Sequence, residues 1–530
     1  MTPPVRRPTW RDNPWLIAAV VAMAAFMEVL DISIANVSLR HIAGDFSAGV
    51  EESAWILTSY LIANAIVLPI SGWLASVIGR KRVFLFCIIS FTFSSLLCGF
   101  APTLPALVLF RVIQGLTGGG LQPLAQAIIS DSTPPHRRGT AFAIYGMSVV
   151  LAPAIGPTLG GWITDSFSWR WIFLVNVPVG IVLTLLVTAM IHDPPEQVAE
   201  RTAKLRAGVR IDYFGFSLLA LGLGSLQIVL DKGQQYNWFD SPFIVAGAIA
   251  SLVLLAVFVV WELGQDDPIV DLNLLRDRNF AMANVFLFML GFSLFGSNLL
   301  LPAMTQQLMG YSATQAGLVL TAGGITTILA MPVVGRLIGI VDARILLGCG
   351  LVIGGGALFA MTGFTLQADF AVFAQARVVQ NLGWSLLFIP MNIAAFATLS
   401  RTKSNQASSL LNLSRNLGAS IGISLVITML ERQTQTHQTV LVAHTTPFDV
   451  AYRQTLEQLV DIFQRHGDAL AVATQKAQGV IYALVTKQAA MQGYIDNYRM
   501  LAVICVLLVP LVFLMRGPSP QSEAPRQSTD

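Results

Sequence analysis

Stretches of about 20 apolar residues recur along this chain, separated by short breaks of glycine, proline or charged residues. A helix of that length crosses the hydrocarbon core of a bilayer with every backbone polar group bonded internally. Of the 530 residues, 54% are hydrophobic and only 12% are charged, which leaves too little polar surface for a water-soluble globule of this size. The chain is therefore predicted to be an all-α polytopic membrane protein.

We count fourteen such stretches and number them spans 1 to 14. Their approximate limits are 15–39, 53–77, 83–101, 105–131, 139–165, 170–191, 213–231, 242–262, 280–304, 313–339, 344–366, 370–399, 405–431 and 498–516. Span 1 is too long for the apolar region of a signal peptide and lacks a small-residue cleavage site, so we expect it to stay uncleaved. The cysteines fall inside spans at irregular spacings, which favours buried thiols over a disulfide framework or a metal site.

Basic residues predict the orientation, because Lys and Arg accumulate in short cytoplasmic loops. Placing the amino terminus in the cytoplasm puts most of them on the inner side, and both termini are then cytoplasmic. Clusters on that side include Arg6-Arg7, Arg80-Lys81-Arg82, Arg137-Arg138 and the stretch Arg201 to Arg210.

Two segments interrupt the series of short connections. One is the polar, basic stretch 192–212, and the other is the long outer segment 432–497, which has helical apolar periodicity at Leu456, Leu459, Val460, Phe463, Val480, Ile481, Leu484 and Val485. The predicted domains are a six-span bundle at 1–191, a cytoplasmic linker with two inserted spans at 192–279, a second six-span bundle with a periplasmic loop at 280–516, and a cytoplasmic tail at 517–530.

Internal repetition supports this division. Arg111-Val-Ile-Gln-Gly recurs as Arg377-Val-Val-Gln-Asn, and Ala154-Ile-Gly recurs as Ser420-Ile-Gly at the same offset. Pro69-Ile-Ser-Gly recurs as Pro332-Val-Val-Gly at nearly that offset. Parallel repeats of this kind place a substrate site between the two halves near the membrane midplane.

Ionisable side chains inside the spans are the candidate site. Glu28 and Asp31 lie close to one face of span 1, and intramembrane carboxylates generally face a cavity or a partner. Counted from the outer helix ends, Arg111 in span 4 reaches about the depth of Asp31, so the two are expected to pair. Glu28 and Asp31 either couple protons or bind substrate, or they are buried structural acids. For Arg111, the alternatives are a functional charge pair that breaks when substrate or proton arrives and a permanent structural ion pair.

The second half lacks this acid, since Ser297 takes the place of Asp31 opposite Arg377. Arg377 is thus expected to face an anionic substrate or to reach across to span 1. Arg415 in span 13 has either a structural or a cavity role. The predicted substrate-binding side chains are Arg377, Gln114, Asn36, Asn298 and Arg415.

Span 5 carries prolines that bend a helix and glycines that admit a neighbouring helix. These are Pro153, Gly156, Pro157, Gly160 and Gly161, for which ordinary tight packing is the alternative. The triple glycine at 118–120 is followed by no Gly-Lys-Ser/Thr, so no phosphate-binding loop points to ATP as the energy source.

The turn Gly72 to Arg82, with Gly79 and Arg80, resembles the signature between helices 2 and 3 of the major facilitator superfamily. Arg111 with Gln114 and Gly115 is similar to its helix 4 signature, the span 5 glycines to its antiporter signature, and Leu30 to Val37 to a motif of the fourteen-helix drug:proton antiporters of the EmrB/QacA type. One departure is Ser76, which replaces the acid of the superfamily turn and puts a carboxylate gate there in doubt.

The resemblance covers nearly the whole chain and implies the major facilitator fold, two six-helix bundles plus two inserted helices. It also implies a bacterial inner-membrane exporter that uses the proton gradient and no cofactor. Hydrophobic or amphipathic toxic molecules, protons and membrane lipid are the expected partners, without nucleic acid. A periplasmic adaptor and an outer-membrane channel are implied too, with segment 432–497 as a docking hairpin or as a cover over the outer mouth. Export of one endogenous metabolite, such as a siderophore or fatty acid, and a sensor without transport are the alternatives.

Overall fold

A computed structural model describes residues 13–134, 137–207, 212–265, 268–338, 340–397, 399–400 and 403–515. The predicted tail 517–530 and the basic residues Arg6, Arg7 and Arg210 lie outside the described residues. Within them the protein is helical and has no strand. In the described part of the chain, fourteen helices, some of them interrupted, are long and apolar enough to cross a membrane, as predicted.

Spans 1 to 8 comprise Pro14–Val37, Val50–Ile78, Arg80–Gly99, Leu104–Gly118 with Leu121–Ser132, Arg138–Ser166, Trp171–Leu174 with Asn176–Met190, Tyr213–Lys232 and Pro242–Leu263. Spans 9 to 14 comprise Arg278–Met309, Ala313–Leu337, Ala343–Met361, Phe370–Phe396, Ser404–Ala443 and Leu470–Leu508, the last extended by a 3₁₀ turn at Val509–Leu514. Shorter helices lie at Leu39–Asp45, Pro195–Ala207 and Val450–Arg465, and 3₁₀ turns at Trp238–Asp240 and Leu272–Arg276.

Equivalent spans of the two halves pack in equivalent ways, which confirms the repeat. Span 5 packs on span 1, and span 13 packs on span 9. A Cβ on Gly156 would lie 2.5 Å from Cβ of Ser33, and one on Gly422 would lie 2.6 Å from the Phe292 carbonyl oxygen. Both contacts need glycine because the paired helices approach so closely.

The halves meet through spans 2 and 5 on one side and spans 13 and 10 on the other. We call the ends near Arg80 the inner ends, following the predicted orientation, and the opposite ends the outer ends. At the inner ends a Cβ on Gly72 would lie 2.7 Å from the Asn405 carbonyl oxygen, and one on Gly139 would lie 2.5 Å from that of Gly335. The halves are thus in backbone contact at their inner ends.

The inserted spans 7 and 8 form a helical hairpin beside the junction of spans 2 and 13. Span 7 bonds to both halves, with Asp231 accepting from Thr58 Oγ1 of span 2, and Gln227 Oε1 accepting from Ser420 Oγ of span 13 at 3.0 Å. The hairpin therefore bridges the two bundles.

Three segments differ from the structure that the sequence predicts: span 4, the linker and the outer segment. Span 4 breaks at Gly119 and Gly120, where a Cβ on Gly119 would lie 2.6 Å from the Asn64 carbonyl oxygen. The linker, expected only to be polar, forms the helix Pro195–Ala207.

The outer segment 432–497 is mostly helical. Spans 13 and 14 continue outward as helices of 40 and 39 residues, and Val450–Arg465 lies against span 14. We call residues 431–497 the outer projection. The predicted apolar stripe lies on a helix, as expected. Its residues Leu456, Leu459, Val460 and Phe463 are half-buried, so this face packs largely within the projection.

Candidate functional site

Asp31 and Arg111 form a buried ion pair between spans 1 and 4, at the common depth that the sequence predicts. Arg111 Nη1 donates to Asp31 Oδ2 at 2.5 Å, and the two side chains are 1% and 0% exposed. Arg111 also donates from Nε to the Ile56 carbonyl oxygen at 3.2 Å, and its guanidinium lies 4.2 Å from the Tyr60 ring centroid. Each charge is thus neutralised without solvent.

The second oxygen of Asp31 accepts two amide hydrogen bonds. Gln114 Nε2 donates to Oδ1 at 3.1 Å and Asn176 Nδ2 donates at 2.8 Å, while Gln114 Oε1 accepts from Arg111 at 2.8 Å. Gln114 is fully buried and belongs to the ion-pair network, and its role as a substrate ligand stays a prediction. Spans 1, 4 and 6 together hold the charge of Asp31.

Glu28 lies one turn away in a different environment. Its Oε1 accepts from Asn64 Nδ2 at 2.9 Å, whereas its Oε2 is buried and has no hydrogen-bond partner in the described part of the chain. Among the described residues, no Lys, Arg or His nitrogen lies within 4.0 Å of a Glu28 carboxylate oxygen, the distance at which an ion pair forms. Of the two acids, Glu28 is therefore the one whose charge is not directly paired.

Arg415 of the second half reaches the Glu28 region across the interface. Its Nη2 donates to Gln122 Oε1 in the inner part of span 4, and Tyr145 Oη lies 3.5 Å from the same oxygen. Arg415 is 3% exposed, and its Nε and Nη1 have no hydrogen-bond partner among the residues that the structure describes. It lies within electrostatic range of Glu28. It thus contacts both halves and lies in the neighbourhood of an acid of span 1.

Arg377 occupies the position equivalent to Arg111 and stays within its own half. Its Nη1 donates to Ser297 Oγ at 3.3 Å and to Gln380 Oε1 at 2.5 Å. The expectation that it reaches across to span 1 is wrong in this conformation, because these contacts hold it against span 9. It is 2% exposed and pairs with no acid among the described residues.

The two asparagines predicted to bind substrate lie apart from this network. Asn36 is exposed near the outer end of span 1, and Asn298 is half-buried in span 9 with its Oδ1 enclosed and unpartnered. Their role as substrate ligands stays a prediction.

A second ion pair joins the inner ends. Arg80 Nη2 donates to Asp131 Oδ2 at 2.5 Å, with both side chains 3% exposed, and Ser404 Oγ of the second half donates to the same oxygen at 2.9 Å. Ser76, which replaces the expected acid of the turn, only donates to the Trp73 carbonyl oxygen at 2.8 Å. The carboxylate that the turn lacks is supplied by Asp131 at the inner end of span 4.

Gly72 and Gly79 in this region are each required for a different structural reason. Gly72 lets spans 2 and 13 touch, as described above. Gly79 has φ 108°, a conformation open chiefly to glycine, and ends one helix directly before Arg80 begins the next. Together they place Arg80 at the junction of the halves.

Span 5 forms one continuous helix through Pro153 and Pro157. Gly156 and Gly160 face span 1, where a Cβ on Gly160 would lie 3.1 Å from Cα of Ile34. A Cβ on Gly161 would meet no described atom of a neighbouring helix within 4 Å, so its prediction as a close-approach position is wrong in this conformation.

Sequence reasoning missed the polar partners of these charges. Asn64, Gln122 and Asn176 are buried in apolar spans, and the side chain of Asp131 is 3% exposed at the end of one. A polar residue within or beside an apolar span is the signal that could have found them.

Comparison with known proteins fits this architecture. The family model described as "Major Facilitator Superfamily" matches residues 21–423. The chain belongs to the Major Facilitator Superfamily.

This facilitator is also similar along nearly its whole length to curated relatives. It is 34% identical over 505 residues to "Multidrug export protein EmrB" of Escherichia coli (strain K12), covering 95% of each chain. It is 35% identical over 518 residues to "Fatty acid resistance protein FarB" of Neisseria gonorrhoeae, covering 96% of this chain and 98% of that protein. Within the superfamily it therefore belongs with the EmrB-like proteins.

Among solved structures, the human organic anion transporter MFSD10 superposes on this facilitator with a TM-score of 0.59 at 14% sequence identity. The match covers 96% of this chain and all of that one. At this identity it supports the fold alone.

Proposed function

We propose that this facilitator is a proton-coupled antiporter of the bacterial inner membrane that exports hydrophobic or amphipathic toxic molecules. The name of the Escherichia coli relative supports multidrug export. The observation that carries proton coupling is the pair of buried acids in span 1, of which Asp31 is paired with Arg111 and Glu28 has no paired cation among the described residues.

Proton binding acts through the junction of the halves. When Glu28 is ionised, it attracts Arg415. The hydrogen bond from Arg415 to Gln122 then holds span 13 against the first half. Protonation removes that attraction, and protonation of Asp31 would also release Arg111. Because an isolated charge is costly at this depth, each step biases the halves toward a different arrangement.

The Arg80–Asp131–Ser404 contact is the inner gate in this scheme. It joins the halves in the present conformation, in which the inner ends are closed. Substrate enters from the cytoplasm only after this contact and the Gly72 packing have separated.

Transport by purified protein in liposomes tests the proposal. An imposed pH difference should drive ethidium accumulation by the wild type, and Glu28→Gln or Asp31→Asn should abolish accumulation while ethidium exchange without a gradient continues. Asp165→Asn, an exposed acid at the outer end of span 5, is the matched control. Gradient-driven accumulation by both acid variants would refute proton coupling through span 1.

Export of one anionic metabolite is a second candidate. It is favoured by Arg377, a buried cation with no acid partner among the described residues, and by the similarity to a fatty acid resistance protein. Under this alternative, dodecanoate but not ethidium is accumulated, and Arg377→Gln raises the half-saturating dodecanoate concentration. Accumulation of both compounds by wild type and variant alike excludes it.

The outer projection is the proposed docking site for a periplasmic adaptor that leads to an outer-membrane channel. Helices of 40 and 39 residues exceed the roughly 20 that a bilayer needs, so the projection extends beyond the membrane. Apolar side chains remain exposed on it, including Phe448 at 91%. Deleting residues 444–469 should abolish adaptor co-purification while transport in liposomes continues. Retained co-purification would place the adaptor elsewhere.

A further inference from the structure

The linker between spans 6 and 7 covers the inner gate with three polar side chains spaced four residues apart. Gln197 and Arg201 lie on one face of the helix Pro195–Ala207, and Asp193 directly precedes that helix. We call these three side chains the linker clasp. The clasp lines a small cavity at the inner ends, and the other polar side chains of that cavity are Ser76, Arg80 and Asn405.

The linker clasp bonds the two helix ends that meet at Gly79. Gly79 ends span 2 and precedes span 3, and it has no side chain that could bond the free backbone groups at either end. Asp193 Oδ1 accepts from the Lys81 backbone nitrogen at 2.9 Å, and Arg201 Nη1 donates to the Ile78 carbonyl oxygen at 3.3 Å. The charges suit these ends, because acids stabilise helix N termini and bases stabilise helix C termini.

Asp193 and Arg201 also pair with each other beside Gly79. Arg201 Nη1 lies 3.7 Å from Asp193 Oδ2, and the two side chains are 19% and 16% exposed. A Cβ on Gly79 would lie 2.9 Å from the same oxygen and closer still to Arg201 Nη1. The linker therefore packs directly on the turn, in space that any side chain at position 79 would occupy.

Gln197 connects the linker to the gate itself. Its Nε2 donates at 2.9 Å to Asp131 Oδ2, the oxygen that also accepts from Arg80 and from Ser404 of the second half. One side chain of the linker thus contacts the carboxylate that joins the two halves, while the other two hold the turn that presents Arg80 to it.

We propose that the linker clasp positions the inner gate. Asp193 and Arg201 fix the turn before Arg80, and Gln197 fixes the carboxylate of Asp131, so that the two gate residues stay aligned. Loss of the clasp leaves the Arg80–Asp131 pair with a less rigid support, which favours separation of the inner ends. This inference rests on the inner gate of the proposed function.

Maleimide labelling of Ser409→Cys in the full-length protein tests the proposal, with the exposed Cys349 replaced by serine. Ser409 Oγ lies 3.1 Å from Ser71 Oγ of span 2, so its reactivity reports opening of the inner junction. Asp193→Ala and Gln197→Ala should each raise the labelling rate about fivefold, the effect expected from one lost hydrogen bond. Glu196→Gln, an exposed acid on the same helix, is the matched control and should leave the rate unchanged.

A second substitution separates positioning from folding. Ser76 lines the same cavity as the linker clasp, so Ser76→Asp returns a carboxylate to that cavity when Asp193 is absent. It should bring the labelling rate of Asp193→Ala back to the wild-type value. It should not correct Gln197→Ala, in which the donor to Asp131 is still missing. Wild-type rates in both alanine variants, or failure of Ser76→Asp to lower the rate of Asp193→Ala, overturns the proposal.

Asp131→Asn in the same assay distinguishes this inference from the gate on which it rests. A raised rate for Asp131→Asn with wild-type rates for Asp193→Ala and Gln197→Ala keeps the gate and overturns the clasp. A wild-type rate for Asp131→Asn overturns both. If Asp193→Ala yields no monodisperse protein, Gln197→Ala decides alone, because it leaves the bonds of Asp193 and Arg201 to the turn in place.

Discussion

Replacing Asp31 by asparagine tests whether the buried pair is needed for stability, for transport, or for both. The change leaves Arg111 buried with only the Ile56 carbonyl and Gln114 as acceptors. Arg111, Gln114 and Asn176 all donate hydrogen bonds to Asp31. The NH₂ group of the new asparagine must therefore face a donor in either orientation of the amide. Breaking a buried pair from one side costs about 3–5 kcal/mol, so we expect a loss of unfolding free energy in that range.

Removing both charges should recover much of that loss. In Asp31→Asn with Arg111→Met, no charge is stranded, and we expect at least about 2 kcal/mol to return through the coupling of the two sites. Transport should not return, because Asp31, one of the two proposed proton-binding carboxylates, is still absent. This combination would separate a functional pair from a merely structural one.

Equilibrium unfolding in maltoside micelles titrated with dodecyl sulfate, followed by tryptophan fluorescence, measures both effects. Asp165→Asn, whose side chain is 71% exposed, serves as the charge-loss control and should change the unfolding free energy by less than about 0.5 kcal/mol. A cost below about 1 kcal/mol for Asp31→Asn, or strictly additive effects in the double variant, would refute the assigned energetics.

Three further predictions concern the gate and the second half. Asp131→Asn removes the negative charge that pairs with buried Arg80. It should raise about tenfold the maleimide reactivity of a Ser409→Cys thiol at the inner junction, where Ser409 Oγ lies 3.1 Å from Ser71 Oγ of span 2; an unchanged rate would exclude Asp131 from the gate. Gly72→Leu places atoms where a Cβ is already 2.7 Å from a backbone oxygen, and should raise the same rate while costing about 1–3 kcal/mol in unfolding free energy. Arg377→Met should cost less than about 1 kcal/mol, against about 3–5 kcal/mol for Arg111→Met, because only the latter strands an acid; equal costs would contradict the asymmetry.

The inner gate shows how a departure from a motif was compensated. The turn between spans 2 and 3 carries Ser76 where the superfamily has an acid, which made a carboxylate gate doubtful. Asp131 restores a carboxylate at the same junction from the end of span 4. Sequence could not pair Asp131 with Arg80, because the two are separated by an entire helical hairpin and many equivalent acids lie near helix ends.

The sequence by itself determined the membrane class, the fourteen spans, the two repeated halves and the shared depth of Asp31 and Arg111. Each of these depends on the length, period or offset of local patterns, which a single chain displays directly. Depth along a helix also follows from counting residues at 1.5 Å each.

Only the tertiary structure decided which side chains meet. A helix can rotate about its axis without changing its span, and that rotation placed Gln114 in the ion-pair network and turned Arg377 toward Ser297. It also brought Arg415 to Gln122 across the halves. The outer ends of spans 13 and 14 were misjudged because polar helices outside a membrane lack the apolar signal that marks the spans. Partner choice and helix continuation depend on packing between segments far apart in the chain.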